Sequence, residues 1–334
     1  MCSWARRYHG AAPVRSSLLL LWVEEIGLPE HTTFTIAVCT RNRALLLESC
    51  LESLTVDNAD GNDLKVLVVD NGSTDQTPQV VDRFSKRLSI GYSYEPSPGL
   101  SHARNRAFKE CGTKYIVFLD DDARVDPGWI GAVRSGITEW SPDYFGGPYR
   151  PFYQVPKPPW FRDDYGSKHL DKKGGPLSDG EMLSGGNMGW RTSLLFEEGG
   201  FPTHLGMSGN QLGVGEESFL QFRLMHRHPE ARRIFFPEMA VQHLVSEEKL
   251  HVRYWLRRAW VNGWTHDAIW SHNVRGPWLN VPRLLLTTAA VLLATPFRSR
   301  LRYPYWQNYI MDRIEPKIKM LATISNRLMN CRHP

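Results

Sequence analysis

From residue 34 onward, short apolar runs alternate with stretches of helical period. FTIAVCT (Phe34–Thr40), KVLVVD (Lys65–Asp70), IGYSYE (residues 90–95) and YIVFLD (Tyr115–Asp120) are rich in β-branched and aromatic residues, the composition of strands. Between them, residues 45–54, 77–88 and 101–110 carry apolar side chains at helical spacing, as do residues 127–140, where Pro127 suits a first helical turn. Strands separated by helices predict βαβ units and a mostly parallel sheet flanked by helices, an α/β fold. The unbroken Val/Ile/Leu of the second and fourth runs predicts burial on both faces. In a doubly wound sheet, ligands bind beyond the carboxyl ends of the strands. Those ends are Thr40-Arg41-Asn42, Asp70-Asn71-Gly72-Ser73, residues 95–98 and Asp120-Asp121-Asp122, so polar and acidic groups gather on one rim.

Past this region the pattern changes. Residues 145–179 are dominated by Pro, Gly, aromatic and charged residues, which predicts a long loop or lid. A short αβ region holding GGNMGWR and GEESFLQFRL follows. Residues 246–270 then read as a helix: Val252, Trp255, Leu256, Ala259, Trp260, Gly263 and Trp264 form one stripe, with Arg253 and Arg257 beside it. The expected division is a leader over residues 1–33, a catalytic domain over 34–245 in two halves (34–144 and 145–245), and a helical, basic and aromatic region over 246–334. Arg6, Arg7 and Arg15 precede an apolar run, SLLLLW, that Glu24 and Glu25 cut short, so no secretory signal is expected there. Residues 284–294 (LLLTTAAVLLA) make up about half the length that crosses a bilayer, and read as a core helix or a segment dipping into the interface.

Charge sharpens the division. The 334 residues carry a net charge of +5, yet residues 223–334 hold 18 Lys+Arg against 7 Asp+Glu and the remainder 22 against 28. One part is therefore strongly basic and suited to an anionic partner, whether nucleic acid or a membrane surface. Five cysteines, odd in number and without CxxC spacing, argue against a disulfide scaffold or a cysteine zinc site and fit a reducing cytosol. GxGxxG after the first strand, GxxxxGK[ST], HExxH and GxSxG are all absent, which withdraws support from dinucleotide dehydrogenases, P-loop ATPases and the commonest hydrolases.

The chemistry gathers in a few places. Three successive carboxylates, Asp120 to Asp122, repel one another unless a cation or hydroxyl donors neutralise them, and hard oxygen ligands favour Mg²⁺ or Mn²⁺. Asp70 closes the second strand, where a carboxylate can accept from a base N–H or a ribose hydroxyl. Arg104 and Arg106 sit in the first turns of a helix, where a guanidinium meets phosphate or a nucleobase carbonyl. Gly185-Gly186-Asn187 either lets backbone approach a sugar or forms a turn.

In this order, FTIAVCTRNR, LKVLVVDNGSTDQT, PGLSHARNRAF, YIVFLDDDARVDPGW, LSGGNMGWR and GVGEESFLQFRL resemble the family 2 glycosyltransferases of the GT-A fold, with AVQH extending the match to His243. The resemblance implies transfer of a sugar from a nucleotide-sugar to an acceptor hydroxyl, with inversion and a divalent metal. It implies that Thr40, Arg41 and Asp70 line the base and ribose pocket with Arg104 near base or phosphate, and that Asp120 and Asp121 serve the nucleotide. Asp122 and His243 would hold the metal, with Glu217 as base and Glu216 beside it. Gly186 and Asn187 would belong to an acceptor or donor-sugar loop. Glu-Glu replaces the family's commoner Glu-Asp, and the QxxRW of processive members is absent, which implies a non-processive enzyme. The partners it implies are a nucleotide-sugar donor and a saccharide or lipid-linked acceptor. With no recognition-motif spacing, nucleic acid is not expected, and residues 250–334 are expected to meet the inner face of a membrane or to pack on the core. A sugar-phosphate nucleotidyltransferase is the competing enzyme class, but it would need a glycine-rich loop where CTRNR stands. A non-catalytic scaffold that only binds nucleotide or membrane is the other alternative.

Overall fold

The computed structural model describes residues 34–58, 64–207, 213, 215–270 and 303–330. The leader, residues 284–294 and much of the basic C-terminal region lie outside them. The strands run β1 (Phe34–Thr40), β2 (Lys65–Asp70), β3 (Ser89–Tyr94), β4 (Tyr115–Asp120), β5 (Ala123–Val125), β6 (Tyr144–Gly146), β7 (Tyr149–Phe152), β8 (Gly175–Pro176), β9 (Asn187–Arg191), β10 (Arg233–Phe235) and β11 (Val241–Leu244). The main helices are α1 (Ala44–Asp57), α2 (Thr77–Phe84), α3 (Leu100–Glu110), α4 (Trp129–Trp140), α5 (Thr192–Glu197), α6 (Glu216–Arg227), α7 (Val252–Trp270) and α8 (Glu315–Asn330).

Eight strands form one sheet in the order β3-β2-β1-β4-β9-β6-β10-β8. The first four are mutually parallel, as the alternation predicts, and β9 joins β4 antiparallel. Alternate residues of each central strand feed opposite layers. Phe34, Ile36 and Val38 pack with Leu47, Leu51 and Leu54 of α1 and with α4, while Ala37, Val69, Ile116 and Phe118 pack with Ala103, Ala107 and Phe108 of α3 and with α6. This double burial is why β1, β2 and β4 read as continuous apolar runs.

Residues 145–179 differ from the expected loop. Their first residues complete β6 in the main sheet and then form β7. Strand β7 pairs with β11, and β11 with β5, in a second sheet of order β5-β11-β7. These strands are only three or four residues long and interrupted by Gly147, Pro148 and Pro151, so their partners, not their composition, make them strands. The second sheet has a positional consequence. It sets His243 opposite Ala123, and Leu244 N–H donates to the Asp122 carbonyl at 3.0 Å, which brings the His243 strand alongside the acidic turn.

The described C-terminal helices dock on the residues before them through aromatic packing. Trp160, Phe161, Val245, Leu250 and Met311 form a buried cluster, and Trp255 of α7 packs on it. Asn308 donates to the Trp160 carbonyl at 2.6 Å. The expected continuous helix over 246–270 breaks at His251, between a 3-10 turn (Glu247–Leu250) and α7. Of its stripe, Ala259 and Gly263 are buried and Trp260 is exposed. Gly263 is required there: a Cβ would stand 2.1 Å from the Lys319 carbonyl of α8, so the two helices touch backbone to backbone.

Pro127 lies outside α4, which begins at Trp129. A distant side chain caps that helix instead: Asp57, at the end of α1, accepts from Gly128 N–H at 2.5 Å and Ile130 N–H at 2.7 Å. Asp57→Ala should therefore lower the unfolding free energy by about 1–2 kcal/mol, read from the denaturant midpoint.

Candidate active site

Chain direction partitions the three aspartates. Asp120 ends β4, and the turn that follows sends Asp121 to the opposite side from its neighbours. Asp121 is buried, accepting from Thr40 Oγ1 at 2.7 Å and from Arg43 Nη1 at 2.9 Å. Asp120 and Asp122 face His243, whose Nε2 lies 3.5 Å from Asp120 Oδ2 and 3.2 Å from Asp122 Oδ1. The ligand atoms of Asp120, Asp122 and His243 lie within 4.8 Å of one another. Two carboxylate oxygens and an imidazole suit Mn²⁺ or Mg²⁺. The Tyr149 ring, 5.0 Å from the His243 ring, and the His243 Nδ1 contact to the Leu244 carbonyl at 3.2 Å fix the imidazole.

Arg104 sits behind this group, buried to 3% exposure. Its Nη1 donates to Glu216 Oε1 at 2.9 Å, and its Nη2 to the Gly185 carbonyl at 3.1 Å and to Asp120 Oδ1 at 3.4 Å. It thus braces two carboxylates from inside the protein. Burial raises the Asp120 carboxyl, but His243 and Arg104 outweigh it and hold Asp120 well below the usual carboxylate range. Burial also raises Asp121, to about 6, against the pull of Arg43.

The two glutamates at the start of α6 are placed differently. Glu216 is buried, and burial together with the neighbouring Glu217 carboxylate raises its carboxyl, against Arg104. Glu217 is half-buried and projects toward Gly185, whose added Cβ would lie 3.2 Å from Glu217 Cγ and from Arg104 Nη2. A Cβ on Gly186 would stand 2.4 Å from Asp120 Oδ2, while Gly186 accepts from the Asp120 N–H at 3.1 Å. The two glycines are thus needed for close approach to the acidic group.

Other expected residues turn inward. Asn187 is fully buried, accepting from Trp129 Nε1 at 3.1 Å and donating to the Met239 carbonyl at 2.6 Å, so its side chain cross-links the sheet. Thr40 is buried against Asp121. Asp70 is also buried, accepting from Ser73 N–H at 2.7 Å and Tyr92 O–H at 2.8 Å. Arg41 is exposed at the rim. Sequence reasoning passed over Arg43, which reaches both Asp121 and, at 3.4 Å, Asp122, and whose guanidinium Asp121 holds more firmly charged. Its spacing in CTRNR, one helical turn before the apolar face of α1, was the available signal.

Residues 35–195 match the model described as Glycosyl transferase family 2. The chain carries a family 2 glycosyltransferase domain. Validoxylamine A glucosyltransferase of Streptomyces hygroscopicus subsp. jinggangensis is 32% identical over 110 residues, 32% of this chain and 26% of that protein. Glucosyl-dolichyl phosphate glucuronosyltransferase of Haloferax volcanii is 24% identical over 209 residues, 60% of this chain and 66% of its own. The chain thus spans less than two thirds of these curated relatives. Among solved structures, the mannosyltransferase PcManGT from Pyrobaculum calidifontis, in complex with GDP-Man and Mn2+, superposes with a TM-score of 0.57 at 21% identity, covering 93% of this chain and 94% of that one. That likeness establishes the fold, a GT-A type.

The glycosyltransferase domain generates one pH expectation. A ligating histidine must be neutral. Burial lowers the His243 pKa, but Asp122 and Asp120 outweigh it and raise it above the ordinary value, so a metal must displace a proton that stays bound to higher pH. Mn²⁺ affinity, read by calorimetry, should rise with pH through a range above that of an ordinary imidazole and then level off. His243→Ala should weaken binding and flatten the profile.

Proposed function

We propose that this domain transfers a sugar from a nucleotide-sugar to an acceptor hydroxyl, with inversion, metal assistance and no processivity. The observation that carries the reading is the Asp120–Asp122–His243 group standing beside a half-buried glutamate at a helix start. The chemistry of that donor set fits Mn²⁺ or Mg²⁺, which when bound supplies positive charge against the departing diphosphate. Glu217 serves as base, because Glu216 is buried and committed to Arg104. Arg104 orients Asp120 and Glu216 and excludes water from their inner side. Arg41, just past the carboxyl end of β1, is exposed on the rim where the nucleoside would sit, and Asp70, at the end of β2, is buried and supports that rim through Ser73 and Tyr92. The GDP-Man and Mn2+ of PcManGT, and the UDP-GlcNAc bound in a crystal structure of S. aureus TarS 1-349 that shares the fold at a TM-score of 0.52 and 17% identity, support a nucleotide-sugar donor. Relatives that act on glucosyl-dolichyl phosphate and on poly(ribitol-phosphate) support a saccharide or lipid-linked acceptor and a role in polysaccharide or glycoconjugate synthesis.

The same reading sets the enzyme on the cytoplasmic face of a membrane through residues 250–334. Arg253, Arg257 and Trp260 are exposed on α7, a cationic and aromatic face suited to anionic headgroups. No helix among the described residues is long and apolar enough to cross a membrane. The chain should cosediment with anionic but not neutral vesicles, and Arg253→Glu with Arg257→Glu should release it. Equal partition of that variant on anionic vesicles would remove the membrane role.

A panel of nucleotide-sugars with Mn²⁺, scored for transfer or hydrolysis, tests the activity. One donor should be consumed, with Asp122→Ala and Glu217→Gln each lowering the rate by about a hundredfold or more. Full activity of Asp122→Ala in Mn²⁺ would overturn the metal assignment.

A further inference from the structure

Gln221 lies on α6 one turn after Glu217, so the two side chains leave the same face of the helix. Gln221 is 2% exposed, and Leu220 and Leu224 beside it belong to the apolar layer that also holds Leu183 and Tyr144. Its amide has both ends occupied by one residue. Oε1 accepts from Leu183 N–H at 2.9 Å, and Nε2 donates to the Leu183 carbonyl at 3.0 Å. The side chain thus pairs with Leu183 as a neighbouring strand would, by two bonds of opposite direction. A buried amide costs free energy unless both ends are paired, whereas an apolar side chain of similar size would fill the space without that requirement.

These two bonds fix the approach to Gly185. Leu183 stands two residues before that glycine, whose carbonyl accepts from Arg104 Nη2 at 3.1 Å and whose added Cβ would lie 3.2 Å from Glu217 Cγ. From Asn187 onward the chain is held by pairing with β4, where Asn187 stands opposite Leu119, and Gly186 accepts from Asp120 N–H at 3.1 Å. Residues 183–185 precede that register, joined to it by a turn bond from Asn187 N–H to the Ser184 carbonyl at 3.4 Å. Gln221 therefore supplies from α6 the anchor that the sheet gives the residues after them.

We infer that Gln221 is a positioning residue: it locks residues 183–185 to the helix that carries Glu217, so that the carboxylate and the loop keep one spacing as an acceptor hydroxyl is deprotonated. This inference rests on the proposed glycosyl transfer, in which Glu217 takes that proton. Misplacing a reacting group by about 1 Å can cost about a hundredfold in rate, which is the scale of loss that a slack loop would bring. The metal group does not hang on the clamp, because Asp120 is anchored to Gly186 next to the β4–β9 register.

The test compares the full chain with Gln221→Met, which keeps the volume and removes both bonds, and with Gln221→Asn, which withdraws the amide by one methylene. Thermal unfolding checks that each variant folds, and in both Leu183 N–H retains the Tyr144 hydroxyl, 3.3 Å away, as an acceptor. With Mn²⁺ and the nucleotide-sugar that the wild type consumes, kcat should fall about tenfold or more in each variant, while donor KM and Mn²⁺ affinity stay within about twofold. Amide hydrogen exchange should quicken at residues 183–185 and stay unchanged at residues 188–190 of β9. A folded variant with wild-type kcat, or one that loses Mn²⁺ affinity as much as kcat, would overturn the positioning role. A wild-type chain that consumes no nucleotide-sugar would instead overturn the proposed glycosyl transfer. Exchange reads the clamp in that case too, and unchanged protection of residues 183–185 in Gln221→Met would overturn it.

Discussion

A guanidinium buried at the mouth of the sheet holds the site together. Arg104 enters from α3, takes Glu216 on one nitrogen, and shares the other between Asp120 and the Gly185 carbonyl. Three segments far apart in sequence are thereby fixed to one planar group. Burying that charge unpaired would cost several kcal/mol, so the site depends on both carboxylates being present. Its flat face also sits near Phe118 and Phe201, 5.9 and 5.5 Å from their ring centroids, which restricts its rotation.

The same need for compensation explains how three adjacent aspartates coexist. Asp121 leaves the group and is neutralised by Arg43 and Thr40, so only Asp120 and Asp122 remain to face His243. Two carboxylates and one imidazole are a workable metal environment; three unshielded carboxylates on one side are not. The short second sheet completes the arrangement by running β11 beside the acidic turn. A Cβ at Gly186 would collide with Asp120, so the chain there must be bare for the carboxylate to hold its place.

Much of the fold could be read from residue pattern, because β1, β2 and β4 are buried on both faces and say so in Val, Ile and Leu. Strands β6 and β7 could not, since their residues become strands only by pairing with β9, β10 and β11, from distant parts of the chain. The cap on α4 was hidden for the same reason: Pro127 is a local signal, whereas Asp57 acts from the end of another helix. In the site, the acidic run and the paired glutamates were visible as unusual local chemistry. Which aspartate turns away, and that Arg104 and Asn187 are spent inside the protein, depends on tertiary partners that no single stretch encodes.

The basic, aromatic C-terminal stripe illustrates how one composition serves two ends. Ala259 and Gly263 turn to the protein and Trp255 packs on its aromatic cluster, while Arg253, Arg257 and Trp260 remain at the surface. Docking thus accounts for part of the stripe and leaves a cationic face free. The central claim, that Asp120, Asp122 and His243 hold a metal while Arg104 braces Asp120 and Asp121 stands apart, is tested most directly by anomalous diffraction at the manganese edge. Crystals grown with Mn²⁺ and a nucleoside diphosphate should show one strong peak within coordination distance of Asp122 and His243, with Arg104 still on Glu216. A peak centred on Asp121, or none near His243, would contradict the account.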